Sequence, residues 1–335
     1  MRVQNIFVRK SKLKFRAVGV VFMASWAMFA LSPRIMAQTA GTQCSSNITS
    51  ALQPCGNADT GSAAPSSGNE SERAAITTAE SNQNDWVHRW MRTVDKARAS
   101  QPHFVAPMVT THVMLVEQYR YDMAWQQDPG AGTATTNYGA SRGLEIIPTS
   151  RLEVGIFPPP YLEHHSSLPD GFGDFSFQVK YRAFSATEGH GDYFVGVFFG
   201  ASLPTGAPPN ALGHTILFPT LAAAKGIGLV DIQSTIGASL PASGANLLGR
   251  AIVFNTAIDY KIKGKIWPML EQNSTFWSGG ALDGKKEVFL TPGLVLGGFP
   301  LAERLHLSVG GGVQIAATQF HRDNHRWILS VRFPF

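Results

Sequence analysis

Charge is what this sequence is short of. Only 15% of its residues are Asp, Glu, Lys or Arg, against roughly 25% in soluble domains. Hydrophobic content is nonetheless an ordinary 44%. Long apolar runs are lacking too. Residues 17–31 form the longest one, shorter than the roughly 20 residues of a membrane-spanning helix, so a helical membrane bundle is excluded. Cysteine is limited to Cys44 and Cys55, with no histidine beside them, which disfavours a metal site there. A basic surface is missing as well. The net charge of +5 owes most to Arg2, Arg9, Lys10, Lys12, Lys14 and Arg16. Without them the chain is close to neutral, and nothing argues for nucleic acid.

Catalytic patterns are equally scarce. The ten histidines include the loop pair His164–His165 and, farther on, His321 and His325. None stands in a motif with the carboxylate or thiolate partners that a metal needs. Serine is abundant but no motif singles one out, and His306 lacks a neighbouring serine nucleophile. We expect no enzyme, no cofactor and no metal.

What is present begins with an export signal. A basic stretch to Arg16, the apolar AVGVVFMASWAMFAL and then SPRIMA read as a signal peptide over residues 1–37, cleaved after Ala37. Ile35 departs from the small residue preferred three places before the cut, and a retained anchor is the alternative that the short apolar run disfavours. Just beyond it, CSSNITSALQPC sets Cys44 and Cys55 in a Ser/Thr-rich stretch, where an oxidising periplasm favours a local disulfide. TAGTQC lacks the leucine of a lipoprotein signal.

Strands dominate the rest. In FSFQVKYRA, Phe175, Phe177, Val179 and Tyr181 alternate with Ser176, Gln178, Lys180 and Arg182. RLEVGIF, DIQSTIGASL and RLHLSVGGGV alternate likewise, and RWILSVRFPF presents Trp327, Leu329, Val331, Phe333 and Phe335 on one face. Period two gives each strand one apolar face. Candidate strands span 109–122, 136–147, 151–158, 174–184, 192–203, 214–224, 230–239, 249–261, 264–276, 286–297, 303–317 and 324–335. Their connections alternate: QQDPGAGTATT, PPYLEHHSSLPDGFG and PTGAPPNALG are long, whereas PTS, KGIGL, KG and FPLAE are short. Long loops on one side and tight turns on the other mark an outer-membrane barrel.

The expected fold is therefore all-β: a transmembrane antiparallel up-and-down β-barrel of about twelve strands, in the bacterial outer membrane. It occupies residues 108–335, after a flexible periplasmic segment over 38–107. Within that segment NDWVHRWMRTVDKARAS repeats Trp86, Val87, Trp90, Met91 and Val94 at helical spacing, predicting an amphipathic helix over 84–99. That helix lies on the inner leaflet, plugs the barrel mouth or simply packs. Phe335 ends the closing strand as in the sorting signal of outer-membrane proteins, so the barrel assembly machinery and outer-membrane lipid are the expected partners.

On the polar faces fall Arg151, Glu153, Lys180, Arg182, Asp259, Glu271, Arg304, Arg326 and Arg332. These line the lumen, either as a salt-bridge ladder filling a narrow barrel or as the wall of a water-filled path. Cations outnumber carboxylates in this set, so a conducting lumen would weakly favour anions. Glu117 and Arg142 fall on the lipid face of their strands and are expected near the rims.

GFGDFSFQVKYRAF followed by FVGVFFGASLPTG resembles the outer-membrane proteins grouped with the meta-pathway of phenol degradation. The residues that carry the likeness are Gly173, Asp174, Lys180, Tyr181 and Arg182, then Leu203, Pro204, Thr205 and Gly206. It extends loosely from residue 137 to 335. The resemblance implies a barrel that passes hydrophobic or aromatic compounds, without fixing a cargo. A channel or transporter for small compounds is thus the first functional reading, and a structural or partner-binding barrel with a closed lumen the second.

The Cys44–Cys55 bond is directly testable. Alkylation of the unreduced mature protein, read by intact mass, should add no label. Two labelled thiols would refute the disulfide.

Overall fold

A strand with one apolar face in lipid must pair both of its edges, and closure of the sheet is the way to do so. The computed structural model describes residues 70–127 and 134–335, and its strands form a single antiparallel sheet. The expected signal peptide and the Cys44–Cys55 pair lie outside the described residues. Helix α1 (Glu70–Ala99) is followed by β1 (Gln118–Gln127), β2 (Ala134–Gly139), β3 (Leu144–Thr149), β4 (Leu152–Phe157), β5 (Tyr161–His164) and β6 (Gly171–Phe172). Next come β7 (Phe175–Ala186), β8 (Tyr193–Leu203), β9 (Ile216–Ile227), β10 (Val230–Pro241) and the short α2 (Ala245–Leu248). The last five strands are β11 (Arg250–Tyr260), β12 (Ile266–Ser278), β13 (Lys286–Pro300), β14 (His306–Ala316) and β15 (His325–Pro334). β15 pairs with β1 from Gln118↔Pro334 to Gln127↔His325, which closes the sheet.

Three staves of the barrel are made of two pieces each. β2 and β3 both pair with β1; Ala140 and Ser141 between them take φ of 42° and 54°, a left-handed turn that no strand continues through. Pro158, Pro159 and Pro160 separate β4 from β5, because proline cannot donate to a ladder. Gly173 and Asp174 separate β6 from β7. Counted by stave, this is a closed antiparallel barrel of 12 strands.

The loop asymmetry follows the sequence pattern. One rim carries the connections 165–170, 204–215, 242–249, 279–285 and 317–324; the other carries 150–151, 187–192, 228–229, 261–265 and 301–305. Both the approach to β1 and the end of β15 are on the short-turn rim, which is the periplasmic one.

The boundaries at the start of the barrel differ from expectation. The first strand begins at Gln118 rather than at residue 109, because residues 109–117 run inside the barrel instead of in its wall. Barrel wall and residue 108 therefore do not coincide. Helix α1 begins at Glu70 rather than at 84.

The outward face is apolar. Val195, Val197, Phe199, Leu221, Ile236, Ile252, Leu270, Leu294, Trp327 and Leu329 are all exposed, an arrangement that water would oppose by about 1.5–3 kcal/mol for each such side chain and lipid accepts. Tyr161, Tyr181, Tyr193 and Tyr260 are exposed among them, as interfacial girdle residues are. Two tryptophans of β12 turn elsewhere. Trp267 packs on the apolar cluster around Met108, and Trp277 meets Phe320 edge to face, 5.8 Å between centroids.

Candidate functional site: the filled lumen

The inward positions of the strands are polar, and many of them meet protein rather than water. Residues 101–117 cross the lumen as an irregular segment, and the wall's side chains pair with its backbone. Glu271, fully buried, accepts from the amide nitrogens of Met108, Val109 (3.1 Å) and Thr110 (2.7 Å). One carboxylate thus satisfies three consecutive N–H groups, each bond charge-assisted.

Arginines take the carbonyls of the same turn. Arg120 donates to Pro107 O (2.9 Å) and Met108 O (2.6 Å). Arg332 donates to Ala106 O and to Pro107 O (3.0 Å). Arg142 donates to Met108 O (3.4 Å) and Val109 O (2.9 Å). Asp122 holds two of these guanidiniums in place, at 2.7 Å from Arg120 and 3.2 Å from Arg142. Farther along, Gln233 bonds Val105 O (2.7 Å) and Glu153 accepts from Val116 N (2.6 Å).

Apolar contacts complete the seat. Met108 packs with Ala124, Met269, Val295 and Ile328. A Cβ at Gly310 would fall 2.7 Å from the Met108 sulfur, so the wall is glycine where the methionine enters. A second cluster unites Val94 and Ala97 of α1, Phe104, Val113 and Leu115 of the inner segment, and Ile147, Phe194 and Phe198 of the wall.

The end of α1 packs against the short-turn end of the barrel. Trp90 Nε1 donates to Glu117 (2.7 Å), whose carboxylate also accepts from Ile147 N (3.2 Å). Arg182 donates to Ala97 O (2.8 Å), and Arg98 to Phe335 O. Arg304 pairs with Asp95 at 2.7 Å; its hydrogen bond holds that carboxylate below the ordinary range. These contacts fix the end of the helix against the barrel and the inner segment.

The residues read from sequence as lumen-lining are divided by this geometry. Glu153, Lys180, Arg182, Asp259, Glu271 and Arg332 are buried inside. Arg151 is exposed in the 150–151 turn and Arg304 lies in the 301–305 turn, beyond the strand ends. Arg326 sits at the loop-bearing rim against Asp323. Glu117 and Arg142 are corrections of the opposite kind: both point inward, because β1 begins late and the 140–143 turn resets the alternation. The anticipated cation excess disappears with them. Glu117, Asp122, Glu145, Glu153, Asp231, Asp259 and Glu271 are all buried, and they outnumber Arg120, Arg142, Lys180, Arg182 and Arg332.

Arg120 and Asp122 could have been found from QYRYDMAW, where Tyr119, Tyr121, Met123 and Trp125 alternate with them. The apolar HVMLV just upstream masked the phase.

The motif residues also separate. Asp174 accepts from Gly206 N (3.1 Å) and Leu212 N (3.3 Å), and Thr205 accepts from Phe175 N (2.8 Å). A Cβ at Gly206 would lie 2.6 Å from Gly173 O. These positions clamp the 204–215 loop onto the barrel rim. Lys180 instead lies deep in the lumen, 2.7 Å from Glu153 and 3.1 Å from Glu145, and Tyr181 faces lipid.

A closed barrel, an apolar belt and a buried polar interior decide the class. The chain is a bacterial outer-membrane barrel. No protein-family model matches its sequence, and no curated protein matches it. Among solved structures it is similar to an outer membrane channel from Pseudomonas putida F1, with 12% identity, 69% of this chain and 100% of that chain covered, and a TM-score of 0.48. OmpT of Vibrio cholerae shows 10% identity over 68% of this chain and 100% of that one, with a TM-score of 0.33. The outer membrane protein opdK of Pseudomonas aeruginosa shows 16% identity, 64% and 61% coverage, and a TM-score of 0.30. The barrel assignment rests on the chain's own pairing and surface.

Removing one partner from a buried ion cluster costs about 3–5 kcal/mol. Lys180→Met strands two buried carboxylates and should lower the unfolding midpoint in detergent accordingly. Adding Glu145→Gln and Glu153→Gln should recover much of the loss. An unchanged midpoint for Lys180→Met alone would contradict the triad's role.

Proposed function

We propose that the barrel is a channel or transporter for small hydrophobic or aromatic compounds, closed in this conformation by residues 101–117. The observation that carries the reading is a cavity of about 310 Å³ above the inner segment, bounded by Thr111 and by Phe157, Gln178, Phe218, Thr235 and Asn255 of the wall. A barrel filled for stability alone has no use for such a chamber, whereas a small-molecule site does. Membership of the meta-pathway of phenol degradation group is part of the proposal. Its support is the Gly173–Asp174 and Thr205–Gly206 clamp, which gives the quoted motif a shared structural task. Insertion by the barrel assembly machinery belongs to the same reading, and no catalysis does.

Movement of the inner segment opens the path. Its ties are hydrogen bonds between backbone and wall, each worth about 0.5–1.5 kcal/mol net and about 1.5–3 kcal/mol where one partner is charged. No single bond holds it, but many must yield together. That density favours the second reading, a permanently shut barrel, and conductance separates the two.

In planar bilayers the wild-type protein should open rarely. Glu271→Gln presents an amide to three N–H groups that need an acceptor, and Arg332→Gln frees two carbonyls. Together they should raise the open fraction about tenfold or more, equivalent to about 1.4 kcal/mol. Silence from both wild type and double variant would establish the closed-lumen barrel instead.

A further inference from the structure

The chamber's walls are uneven in chemistry. Phe157 and Phe218 supply rings, while Gly200, beside Phe218 on the neighbouring strand, and Gly237 leave the wall without side chains there. Two charged side chains border it, Glu145 and Arg142. Glu145 is already engaged, by Lys180 at 3.1 Å and by Gln118. Arg142 is not fully used: Nε bonds Asp122 and Nη2 bonds the Met108 and Val109 carbonyls, which leaves Nη1 as a donor for a ligand.

The free donor of Arg142 suits a ligand that accepts hydrogen bonds. Arg120, Arg142 and Arg332 converge on the carbonyls of residues 106–109; among the described residues Asp122 is the carboxylate hydrogen-bonded to them, while Glu271 takes the amides of the same turn and Glu145 borders the chamber. Arg332 spends its Nε on the Ser330 hydroxyl. The case for a ligand rests on the unused Arg142 Nη1 beside the chamber, and a guanidinium matches a carboxylate in geometry as well as sign. A dianion would have to bring its second charge against phenyl rings and Glu145.

We propose that the chamber binds a small monocarboxylate with a compact apolar body, its head group on Arg142 and its body between Phe157 and Phe218; this rests on the channel reading above. Binding also bears on closure. The Arg142 atoms that hold Met108 and Val109 belong to the guanidinium that the ligand would draw toward the chamber, so occupancy weakens the seat of the inner segment. The cargo thereby promotes its own passage.

The test uses the full-length protein in detergent and isothermal titration with cyclohexanecarboxylate and with cyclohexylmethanol, which share a body and differ in the head group. The acid should bind at least tenfold more tightly than the alcohol. Arg142→Gln should abolish that difference. Gly200→Val should weaken both, since its added Cβ lies 3.5 Å from Phe218 Cβ, in ordinary contact, and the branches extend the bulk there. Equal affinity of the two probes for wild type, no binding of either, or an acid preference that survives Arg142→Gln would overturn the proposal. Should Arg142→Gln fail to fold, the wild-type comparison and Gly200→Val still decide it. Bilayer currents from the same preparations keep the two ideas apart. Conductance without acid binding refutes the ligand and spares the channel; acid binding without conductance does the reverse.

Discussion

Backbone that enters a barrel lumen away from water must find partners there, since an unpaired buried N–H or C=O costs about as much as a lost hydrogen bond. Residues 101–117 have no strand neighbour to supply them. The wall supplies them instead, through Glu271 for three amides, through Arg120, Arg142 and Arg332 for the carbonyls of residues 106–109, and through Gln233 and Glu153 farther along. The buried charges and the irregular segment each solve the other's desolvation problem. Without the segment, Arg120 and Arg332, side by side on the paired β1 and β15, would lack the carbonyls they bind; without the arginines, the segment could not dehydrate.

The rest of the interior is arranged around that exchange. Glycine at positions 293 and 310 lets Met108 approach the wall, where a Cβ at Gly293 would sit 3.3 Å from Met108 Cγ. The apolar residues of α1 and of the inner segment meet Ile147, Phe194 and Phe198 in one cluster, so the helix and the segment dock as a unit. Glu117 joins them to the seam of the barrel: its side chain takes Trp90 and Ile147, and its carbonyl accepts from Phe335 N at 3.1 Å.

Much of this was legible in the sequence because lipid imposes a strict period on the wall. The alternation in FSFQVKYRA placed Lys180 and Arg182 inward, and RWILSVRFPF placed Arg332 inward and Trp327 outward. Loop lengths gave the strand count and the sidedness of the chain. The inner segment was not legible. HVMLVEQ has the apolar content of a strand but belongs to a stretch whose partners are distant side chains, such as Glu271 and Gln233, and local period carries no trace of them. Ala140 and Ser141 likewise give no warning of a left-handed turn, and alternation carried through them puts Arg142 on the wrong face.

A lumen sealed by backbone-to-wall hydrogen bonds has a plain signature in solution. Amide hydrogen exchange of residues 104–117 in the detergent-solubilised protein reads those bonds directly. The amides of Met108, Val109, Thr110 and Val116 should exchange as slowly as those of the neighbouring strands, and Glu271→Gln should speed the first three selectively. Exchange across this segment at the rate of an unstructured chain, with the strands still protected, would contradict the account.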